Sequence, residues 1–570
     1  MHNREIAALF DRMADLLDIE QANPFRVRAY RNAARTVGGH AKPMSELLAR
    51  GDDLSRLPGI GKDLAAKIAE IVETGRLRAL EELEQRVPAA LSELMHIDGL
   101  GPKRVRSLYH ALGVRSPADL SAALEGDRIR SLPGFGARTV EKLRHGIEML
   151  AASEKRTRLV DAEQIAADLL EWMRGSRGLK SIEVAGSFRR RCETVGDLDL
   201  LVSAARGSDA MDRFVRYREV DQVLAQGKTR ATVRLRSGMQ IDLRVVPQAS
   251  HGAALHYFTG SREHNIAVRT LAVRKKLKLN EYGVFRGDTR IAGRTEADVF
   301  AAAGLPFIAP ELRENRGEVE AALAGRLPRL IELDDIRGDL HCHSSASDGH
   351  PSIAQLAQAA LALGYEYLAI TDHTRRASVA HGLVRKRLEQ QMREIDRLNA
   401  KLDGIVILKS AEVDILEDGS LDLPDAVLRE LDFTVCAVHY GLGLPRERQT
   451  ERILRAMDNP LLNVLAHPTG RLIDVRRPYA IDLERIMRAA RERGCAIELN
   501  AHPDRLDLND VHCRLAKAIG VRVAIGSDAH ACDDLALLRH GIDQARRGWL
   551  EAKDVLNTRG LATLRKLLRR

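Results

Sequence analysis

The sequence predicts a multidomain protein of mixed class, with α+β domains followed by an α/β domain. A length of 570 residues exceeds what a single hydrophobic core accommodates, so several domains are expected. Residues 1–150 have the pattern of short helices with an internal repeat, whereas the stretch from Ile336 alternates apolar strands with helices. This alternation predicts a parallel, barrel-like sheet with functional groups at the carboxyl ends of its strands.

Composition limits the class of partner and the compartment. The net charge of +9 favours a polyanionic partner, and the aromatic content of 4% argues against base stacking as the main mode of binding. The six cysteines form no CxxC pair and no secretion signal precedes them, which indicates reduced thiols in a cytosol. No apolar run approaches the ~20 residues that span a bilayer, so no membrane partner is expected.

The first candidate site lies in VAGSFRRRCETVGDLDLLV, residues 184–202. Asp197 and Asp199 alternate with leucines, so on a strand both carboxylates point to one face. Like charges this close are costly unless a cation lies between them, and Mg²⁺ prefers carboxylate oxygens. A third carboxylate, Asp242, follows in the alternating strand QIDLRVV. The alternative is a surface strand pair with solvated carboxylates.

A phosphate-binding turn precedes these carboxylates. Gly186 and Ser187 leave an apolar strand at a point where backbone N–H groups can hold a phosphate. Three carboxylates on neighbouring strands beside such a turn fit two-metal nucleotidyl transfer.

These motifs, followed by HYFTGSREHN and KLNEYGVF, resemble the palm and thumb of X-family DNA polymerases of the polymerase β type. The resemblance implies that Asp197, Asp199 and Asp242 are catalytic ligands of Mg²⁺ or Mn²⁺. The nucleotide-binding residues that it implies are Gly186, Ser187, Arg190, Gly196, Tyr257, Phe258, Gly260, Asn265 and Arg269. Of these, the segment from Tyr257 to Gly260 would lie under the sugar, and Asn265 and Arg269 would face the nascent base pair. One departure is Gln240, where polymerase β carries Arg.

Three repeats in the first 150 residues each contain an apolar-x-Gly-x-Gly pattern followed by a helix. They begin at Leu57, Ile97 and Leu132 and resemble the helix–hairpin–helix motif. Their glycines would let the hairpin approach a DNA phosphate, and the family's hairpin carbonyls also hold a monovalent cation. The implied DNA-binding residues are Gly59, Gly61, Lys62, Gly99, Gly101, Lys103, Gly134 and Gly136. The alternative is a set of glycine-capped helical turns.

Lys67, in AAKIAEI, matches the Schiff-base lysine of the polymerase β lyase domain. A lysine attacks an abasic-site aldehyde only when its amine is partly neutral, which burial or neighbouring cations favour. An ordinary phosphate contact is the other reading, and the sequence leaves both open.

In the C-terminal part, histidine and carboxylate residues recur at successive strand ends. Without cysteine, such ligands suit Zn²⁺, Mn²⁺ or Fe. The motifs HCH, TDH, EVD, VH, AHP and SDAH resemble the polymerase and histidinol phosphatase (PHP) domain and its trinuclear metal site, on a distorted (β/α)7 barrel. The implied ligands are His341, His343, Asp348, His373, Glu412, His439, His467, Asp528 and His530. His350 is an open alternative to Asp348.

Together the resemblances cover nearly the full chain and imply a bacterial X-family polymerase fused to a PHP domain. The expected domains are an N-terminal helical domain (1–88), fingers (89–152), palm (153–250), thumb (251–320), linker (321–336) and PHP domain (337–570). The implied activities are gap-filling DNA synthesis in repair and 3′–5′ exonuclease action, with abasic-site endonuclease action left open. The implied partners are dNTPs and gapped, nicked or primer–template DNA, bound by a monomer at the nucleoid in the cytoplasm.

Two other functions compete with this interpretation. One is a template-independent nucleotidyltransferase with an attached small-molecule phosphatase; the three hairpin repeats and the YFTG segment argue against it. The other is a non-catalytic scaffold that binds DNA ends; the complete carboxylate and metal-ligand sets argue against that.

Overall fold

A computed structural model describes the chain except for residues 1–2, 39–43, 58, 96, 98–99, 127, 137–138, 142, 145–155, 206, 378–379 and 569–570. The chain divides into two compact units, residues 1–156 with 234–238 and residues 157–233 with 239–570. The first is helical and the second combines antiparallel, mixed and parallel sheets, which confirms the predicted mixed class. Among the described residues, no helix has both the length and the apolar character needed to cross a membrane.

The first unit consists of short helices around one apolar core. Its longer helices are Asn3–Ile19, Pro24–Gly38, Met44–Ala49, Lys62–Thr74, Arg78–Glu84, Leu91–Leu94, Pro102–Leu112 and Pro117–Glu125. Ile6, Phe10 and Met13 recur on one face of the first helix and are buried, so this helix is amphipathic. The ring of Phe10 meets Tyr30 edge-on, with centroids 5.7 Å apart.

The palm is a five-stranded sheet with strand order β2–β4–β7–β6–β5. Its strands, with the short pair β1 and β3, are β1 Thr157–Arg158, β2 Leu179–Val184, β3 Thr194–Val195, β4 Asp197–Ala204, β5 Val220–Gln226, β6 Arg230–Leu235 and β7 Gln240–Val246. Strand β4 runs antiparallel to β2 and parallel to β7. Leu198 and Leu200 are buried, so the alternation in GDLDL leaves the aspartates on the opposite face of β4. Helices Leu159–Arg174 and Ala210–Val215 accompany the sheet.

The thumb combines helices with a small antiparallel sheet. Its helices are His251–Thr259, Arg262–Arg274, Glu296–Ala303 and Glu318–Leu323, and its strands are β8 Lys278–Asn280, β9 Gly283–Arg286 and β10 Thr289–Ala292. The stretch NIAVRTLAVRKKLKL has the sequence pattern of one helix with a basic face, but this helix prediction is wrong at the end of the stretch. The helix stops at Arg274, Lys276 adopts a left-handed φ of 58°, and β8 follows. Leu277 and Leu279 are both buried, so KLKL has the two-residue period of a strand.

The C-terminal part is a closed parallel barrel with seven strand positions, which confirms the predicted (β/α)7 class. Its strands are β11 Gly338–Asp339, β12 Tyr367–Ile370, β13 Val406–Lys409, β14 Glu412–Asp414, β15 Val435–Ala437, β16 Val464–Leu465, β17 Ala496–Asn500 and β18 Val523–Gly526. Strands β13 and β14 together occupy one of these positions, because the pairing of His373 with Glu412 continues the register of β12 with β13. A bridge between Cys342 and Ala529 closes the ring.

Helices connect the strands of the barrel or follow its last strand. They are Ile353–Ala362, Arg385–Asn399, Asp425–Leu428, Arg446–Asp458, Leu483–Arg493, Asp510–Ile519, Leu538–Arg547 and Leu561–Leu568. The stretch predicted as a linker, residues 321–336, is packed against this part: Ile331 is fully buried and its N–H donates to Leu550 O at 3.0 Å.

Candidate active sites

The three palm carboxylates lie side by side on two parallel strands. Asp199 of β4 pairs in register with Asp242 of β7, and Asp197 lies opposite Gln240. Burial, together with the charges of Asp197 and Asp242, raises the pKa of Asp199 to about 7. This mutual repulsion is what bound divalent cations relieve, and an all-carboxylate donor set suits Mg²⁺ or Mn²⁺.

Neighbouring donors hold Asp242 in place. Thr232 Oγ1 donates to its Oδ1 at 2.6 Å, and Arg230 Nη2 lies 3.2 Å from the same oxygen. Gln240 Nε2 donates to Oδ2 at 2.7 Å. Gln240, the departure from polymerase β, therefore supports the third carboxylate as a neutral hydrogen-bond donor.

The turn at Gly186 requires glycine. Its φ is +65°, and a Cβ there would lie 2.5 Å from Asp199 Oδ2. The residue before it, Ala185, donates its N–H to Asp199 O at 2.7 Å, so the turn and the carboxylate strand are directly joined. Ser187 follows in this turn, and Gly196 is exposed just before Asp197.

The basic run after this turn is engaged within the protein. Arg189 binds Glu296 and Thr259 of the thumb. Arg190 donates from Nε to Glu314 Oε1 at 3.0 Å and from Nη1 to Thr259 O at 2.9 Å. The predicted contact of Arg190 with a triphosphate stays a prediction, since the structure shows these atoms bound to the thumb.

The predicted sugar-contacting segment is supported from beneath by Asn265. Its Nδ2 donates to Tyr257 O at 2.6 Å and lies 3.2 Å from Gly260 O. A Cβ at Gly260 would lie 2.5 Å from Asn265 Oδ1. The rings of Tyr257 and Phe258 meet edge-on, with centroids 5.1 Å apart. Asn265 thus orders this backbone, whereas Arg269 on the same helix is exposed.

Arg244 lies beside the palm carboxylates, and the sequence motifs did not assign it a role in this site. Its guanidinium lies 4.9 Å from the ring centre of Phe258, and its charge lowers the pKa of Asp199. The signal was present in QIDLR, because residues two apart on a strand share a face.

The hairpin glycines that the structure describes in the first unit are exposed. Gly59 and Gly134 have left-handed φ values of 75° and 87°. A Cβ at Gly61, Gly101 or Gly136 would meet no atom within 4 Å, so internal packing does not explain glycine there. These positions leave room for close approach by a group from outside, as the hairpin interpretation requires.

Basic residues border the hairpins. Lys62 and Lys103 are exposed in the first turns of helices Lys62–Thr74 and Pro102–Leu112. The predicted contact Gly99 lies outside the described residues.

Lys67 lies in a setting that favours its charged form. Its Nζ is 2.5 Å from Asp63 Oδ1 and 5.8 Å from the ring centre of Tyr30. Burial alone would lower the pKa of Lys67, but the contacts with Asp63 and Tyr30 outweigh burial and raise it. The neutral amine needed for Schiff-base chemistry is therefore not favoured here, and lyase action stays a prediction.

The candidate ligands of the barrel converge where its strands end. His341 and His343 follow β11, His373 follows β12, Glu412 begins β14, His439 follows β15, His467 follows β16, and Asp528 and His530 follow β18. Three overlapping groups each bring their ligand atoms within 4.8 Å of one another: His343, Asp348, His373 and His530; His341, His343 and Asp528; His373, Glu412 and His439. Three overlapping groups fit the predicted trinuclear centre.

Histidine ring nitrogens that lack a hydrogen-bond partner support the assignment of a metal centre. His341 Nε2 and His343 Nδ1 are buried and have no hydrogen-bond partner among the described residues. His341 Nε2 lies 3.5 Å from Glu412 Oε2 and 3.6 Å from Asp528 Oδ1. Two ligands at ~2.1 Å from one tetrahedral ion are separated by about 3.4 Å. The cluster thus has the spacing and the ligand types of a transition-metal site.

Glu412 lies at the centre of this cluster. Burial would raise its pKa, but His373, His439 and His341 outweigh burial and hold it well below its usual range. His467 Nε2 approaches Glu412 Oε1 at 2.8 Å.

Between Asp348 and His350, the geometry favours Asp348. Its carboxylate lies 3.3 Å from His373 Nε2, 3.5 Å from His530 Nε2 and 3.6 Å from His343 Nδ1. The backbone N–H of His350 donates to His530 O, and its side chain is exposed.

Further polar residues orient the ligands and were not predicted. Glu498 Oε1 lies 2.5 Å from His341 Nδ1, and Asp414 Oδ1 lies 3.0 Å from His439 Nδ1. Arg505 Nε is 3.3 Å from Asp528 Oδ2. Carboxylates behind metal-bound histidines fix the ring orientation. Glu498 was visible as the acidic residue of AIELN, whereas Arg505 has no pattern of its own.

A fourth group of possible ligand atoms, from Glu163, His540 and Asp543, does not resemble the metal centre of the barrel. Arg191 lies 2.7 Å from Glu163 Oε1 and 2.9 Å from Asp543 Oδ2, and Arg539 also binds Glu163. Two guanidinium groups already neutralise its carboxylates.

Comparison with known proteins agrees with this architecture. Family descriptions match as "Helix-hairpin-helix domain" at residues 1–77, "SAM-like Helix-hairpin-helix tandem" at 91–148, "DNA polymerase beta thumb" at 254–314 and "PHP domain" at 339–502. The chain is 37% identical over 574 residues to the DNA polymerase/3′-5′ exonuclease PolX of Bacillus subtilis (strain 168), with 100% of both chains covered. It is 29% identical over 331 residues to DNA polymerase lambda of Rattus norvegicus, covering 52% of this chain and 53% of that protein.

Proposed function

The chain belongs to the X-family DNA polymerases that carry a C-terminal PHP domain, and we propose that it fills short DNA gaps in repair and trims 3′ ends. The supporting observation is that one chain carries two separate sets of candidate metal ligands: carboxylates in the palm, and histidines with carboxylates in the barrel. Each set has the donor types that its proposed reaction needs. The boundaries 1–88, 89–152, 153–250, 251–320, 321–336 and 337–570 are proposed for its domains.

In the palm, the chain supplies ligands and a phosphate turn. Mg²⁺ or Mn²⁺ bound there would acidify a 3′-hydroxyl and neutralise charge on a triphosphate. Asp197 and Asp199 on β4 would hold the ions together with Asp242 on β7. Gly186 admits phosphate close to Asp199, and Ser187 follows as a donor. The Tyr257 segment supports the sugar.

In the barrel, nine side chains would hold the metals, and other side chains would orient these ligands. Zn²⁺, Mn²⁺ or Fe bound there would activate water against a phosphodiester. Glu498 and Asp414 hold the rings of His341 and His439. The guanidinium of Arg505, beside Asp528, offers a positive charge to the phosphate being cleaved.

The hairpins of the first unit hold DNA by its backbone. Exposed Gly61, Gly101 and Gly136 permit close approach, and Lys62 and Lys103 add charge. Their carbonyls are proposed to hold a monovalent cation. The proposed substrates are gapped, nicked or primer–template DNA and dNTPs, bound by a monomer at the nucleoid of a bacterial cytoplasm.

Extension of a 5′-labelled primer tests the polymerase half. On a one-nucleotide gap, the purified protein with Mg²⁺ should add the nucleotide that the template specifies and discriminate against the others. Equal addition with the template strand omitted would contradict the proposal and favour a template-independent transferase. Without dNTPs and with Mn²⁺, the same label should report stepwise shortening from the 3′ end.

A further inference from the structure

The turn that holds Gly186 and Ser187 closes on itself. We call residues 186–192 the nucleotide loop. Cys192 N–H donates to Ser187 O at 3.1 Å, and the chain reaches Cys192 through Arg191, whose φ of 58° is left-handed. Within the loop, Gly186–Arg189 form one helical turn, and the N–H of Arg191 donates to Phe188 O at 3.0 Å at its end. The loop therefore has its own backbone hydrogen bonds, and the side-chain contacts of Arg191 add to them.

Those contacts come partly from the nuclease barrel. Asp543 Oδ2, on helix Leu538–Arg547, lies 2.9 Å from Arg191 Nη2, and Gln544 Nε2 approaches Arg191 O at 3.5 Å. Glu163 of the palm binds the other side of the guanidinium at 2.7 Å. Arg191 is thus held between a palm helix and a barrel helix.

Arg547, at the end of the same barrel helix, binds the loop at a second point. Its Nη1 donates to Arg190 O at 2.7 Å and to Glu314 Oε1 at 3.0 Å. The same Glu314 oxygen accepts from Arg190 Nε at 3.0 Å. Arg547 Nη2 donates to Asp510 of the barrel at 2.8 Å. This guanidinium is buried and connects the loop backbone, a thumb carboxylate and the barrel.

We propose that helix Leu538–Arg547 of the nuclease domain positions the nucleotide loop of the polymerase, with Arg547 as the principal positioning residue. The inference rests on the proposed role of Gly186 and Ser187 in nucleotide binding. A loop held in its working shape binds without paying for its own ordering. Releasing it transfers that cost to nucleotide binding, so the KM for dNTP rises more than kcat falls.

The test is steady-state gap filling with the full chain, measured beside exonuclease action on single-stranded DNA. We expect Arg547→Ala to raise the KM for dNTP about tenfold or more, the scale of a lost hydrogen bond to a charged group. Exonuclease action should be kept, and Arg547→Lys should restore part of the dNTP affinity. Glu314→Gln, which keeps the shape of the side chain, should raise the KM in the same direction.

The neighbouring Arg546→Gln is the matched control. Arg546 lies on the same helix but binds Glu311 and Ile331 O, so its loss should leave the KM for dNTP unchanged. If Arg547→Ala lowers both activities equally through misfolding, Glu314→Gln decides. An unchanged KM in folded Glu314→Gln, while Ser187→Ala raises it, would overturn the inference and leave the loop assignment intact. A wild type that cannot fill gaps would overturn the proposed function instead.

Discussion

The palm and the barrel hold their metals in opposite electrostatic environments. In the palm, Asp197, Asp199 and Asp242 repel one another, and the pKa of Asp199 is raised to about 7. In the barrel, Glu412 is surrounded by histidines and its pKa is held well below its usual range. The palm carboxylates therefore need bound cations to relieve their repulsion, whereas the histidines of the barrel already balance the charge of Glu412.

The largest expected effect is the separation of the two activities. Asp197→Ala with Asp199→Ala should lower primer extension by several orders of magnitude while nuclease action stays, because it removes the charge that holds the palm metals. His341→Ala with His343→Ala should do the reverse. Asp221→Ala, an exposed acid on β5, is the control. Full metal-dependent nuclease activity in the folded histidine variant would refute the barrel assignment.

The next effect distinguishes two neighbours in one loop. Asp348→Asn should lower exonuclease rates by about 100-fold or more, since its carboxylate approaches three ligand histidines. His350→Ala should keep the activity and the bound metal, because its side chain is exposed. Metal content measured by mass spectrometry, alongside the rates, checks both; the opposite ranking would make His350 the ligand.

A smaller effect is expected one layer behind the barrel ligands. Glu498→Gln keeps a hydrogen-bond acceptor for His341 but removes its charge, and should weaken metal affinity by about 10–100-fold. Competition with a chelator of known affinity measures this. Glu492→Gln, an exposed acid on helix Leu483–Arg493, serves as the control. Equal metal retention in both variants would argue against an orienting role for Glu498.

The smallest expected effect is a change in the melting temperature of the metal-free protein, with opposite signs for a palm variant and a barrel variant. Because the pKa of Asp199 is raised from 3.8 to about 7, its charge costs stability that grows as pH rises through this range. Asp199→Asn should therefore raise the melting temperature at pH 8, and by less at pH 5. The pKa of Glu412 is lowered from 4.5, so its charge stabilises the fold above that pH and the contribution is lost on acidification.

Glu412→Gln should accordingly lower the melting temperature of the metal-free protein at pH 8. The change at Asp199 should be on the order of 1 kcal/mol or more, as expected for a pKa displaced by more than a unit, and the change at Glu412 should have the opposite sign. Calorimetry after chelator treatment measures them. The same sign for the two variants would show that the two environments do not differ as described.

Local patterns in the sequence determined the candidate ligands. Asp197 and Asp199 share a face because strand side chains alternate, and successive strand ends carried the barrel histidines because parallel strands end at one edge. The same logic failed only locally, where KKLKL continued a helical pattern into β8.

The tertiary structure alone decided which partners the charged residues have. The resemblance assigned Arg190 to triphosphate binding, yet the structure pairs Arg189, Arg190 and Arg191 with three carboxylates that lie more than one hundred residues away in the chain, Glu296, Glu314 and Asp543. The choice between Asp348 and His350 also depended on the tertiary structure, in which the Asp348 carboxylate approaches three histidines. Ion pairs depend on distance in space, and sequence periodicity describes only distance along one element.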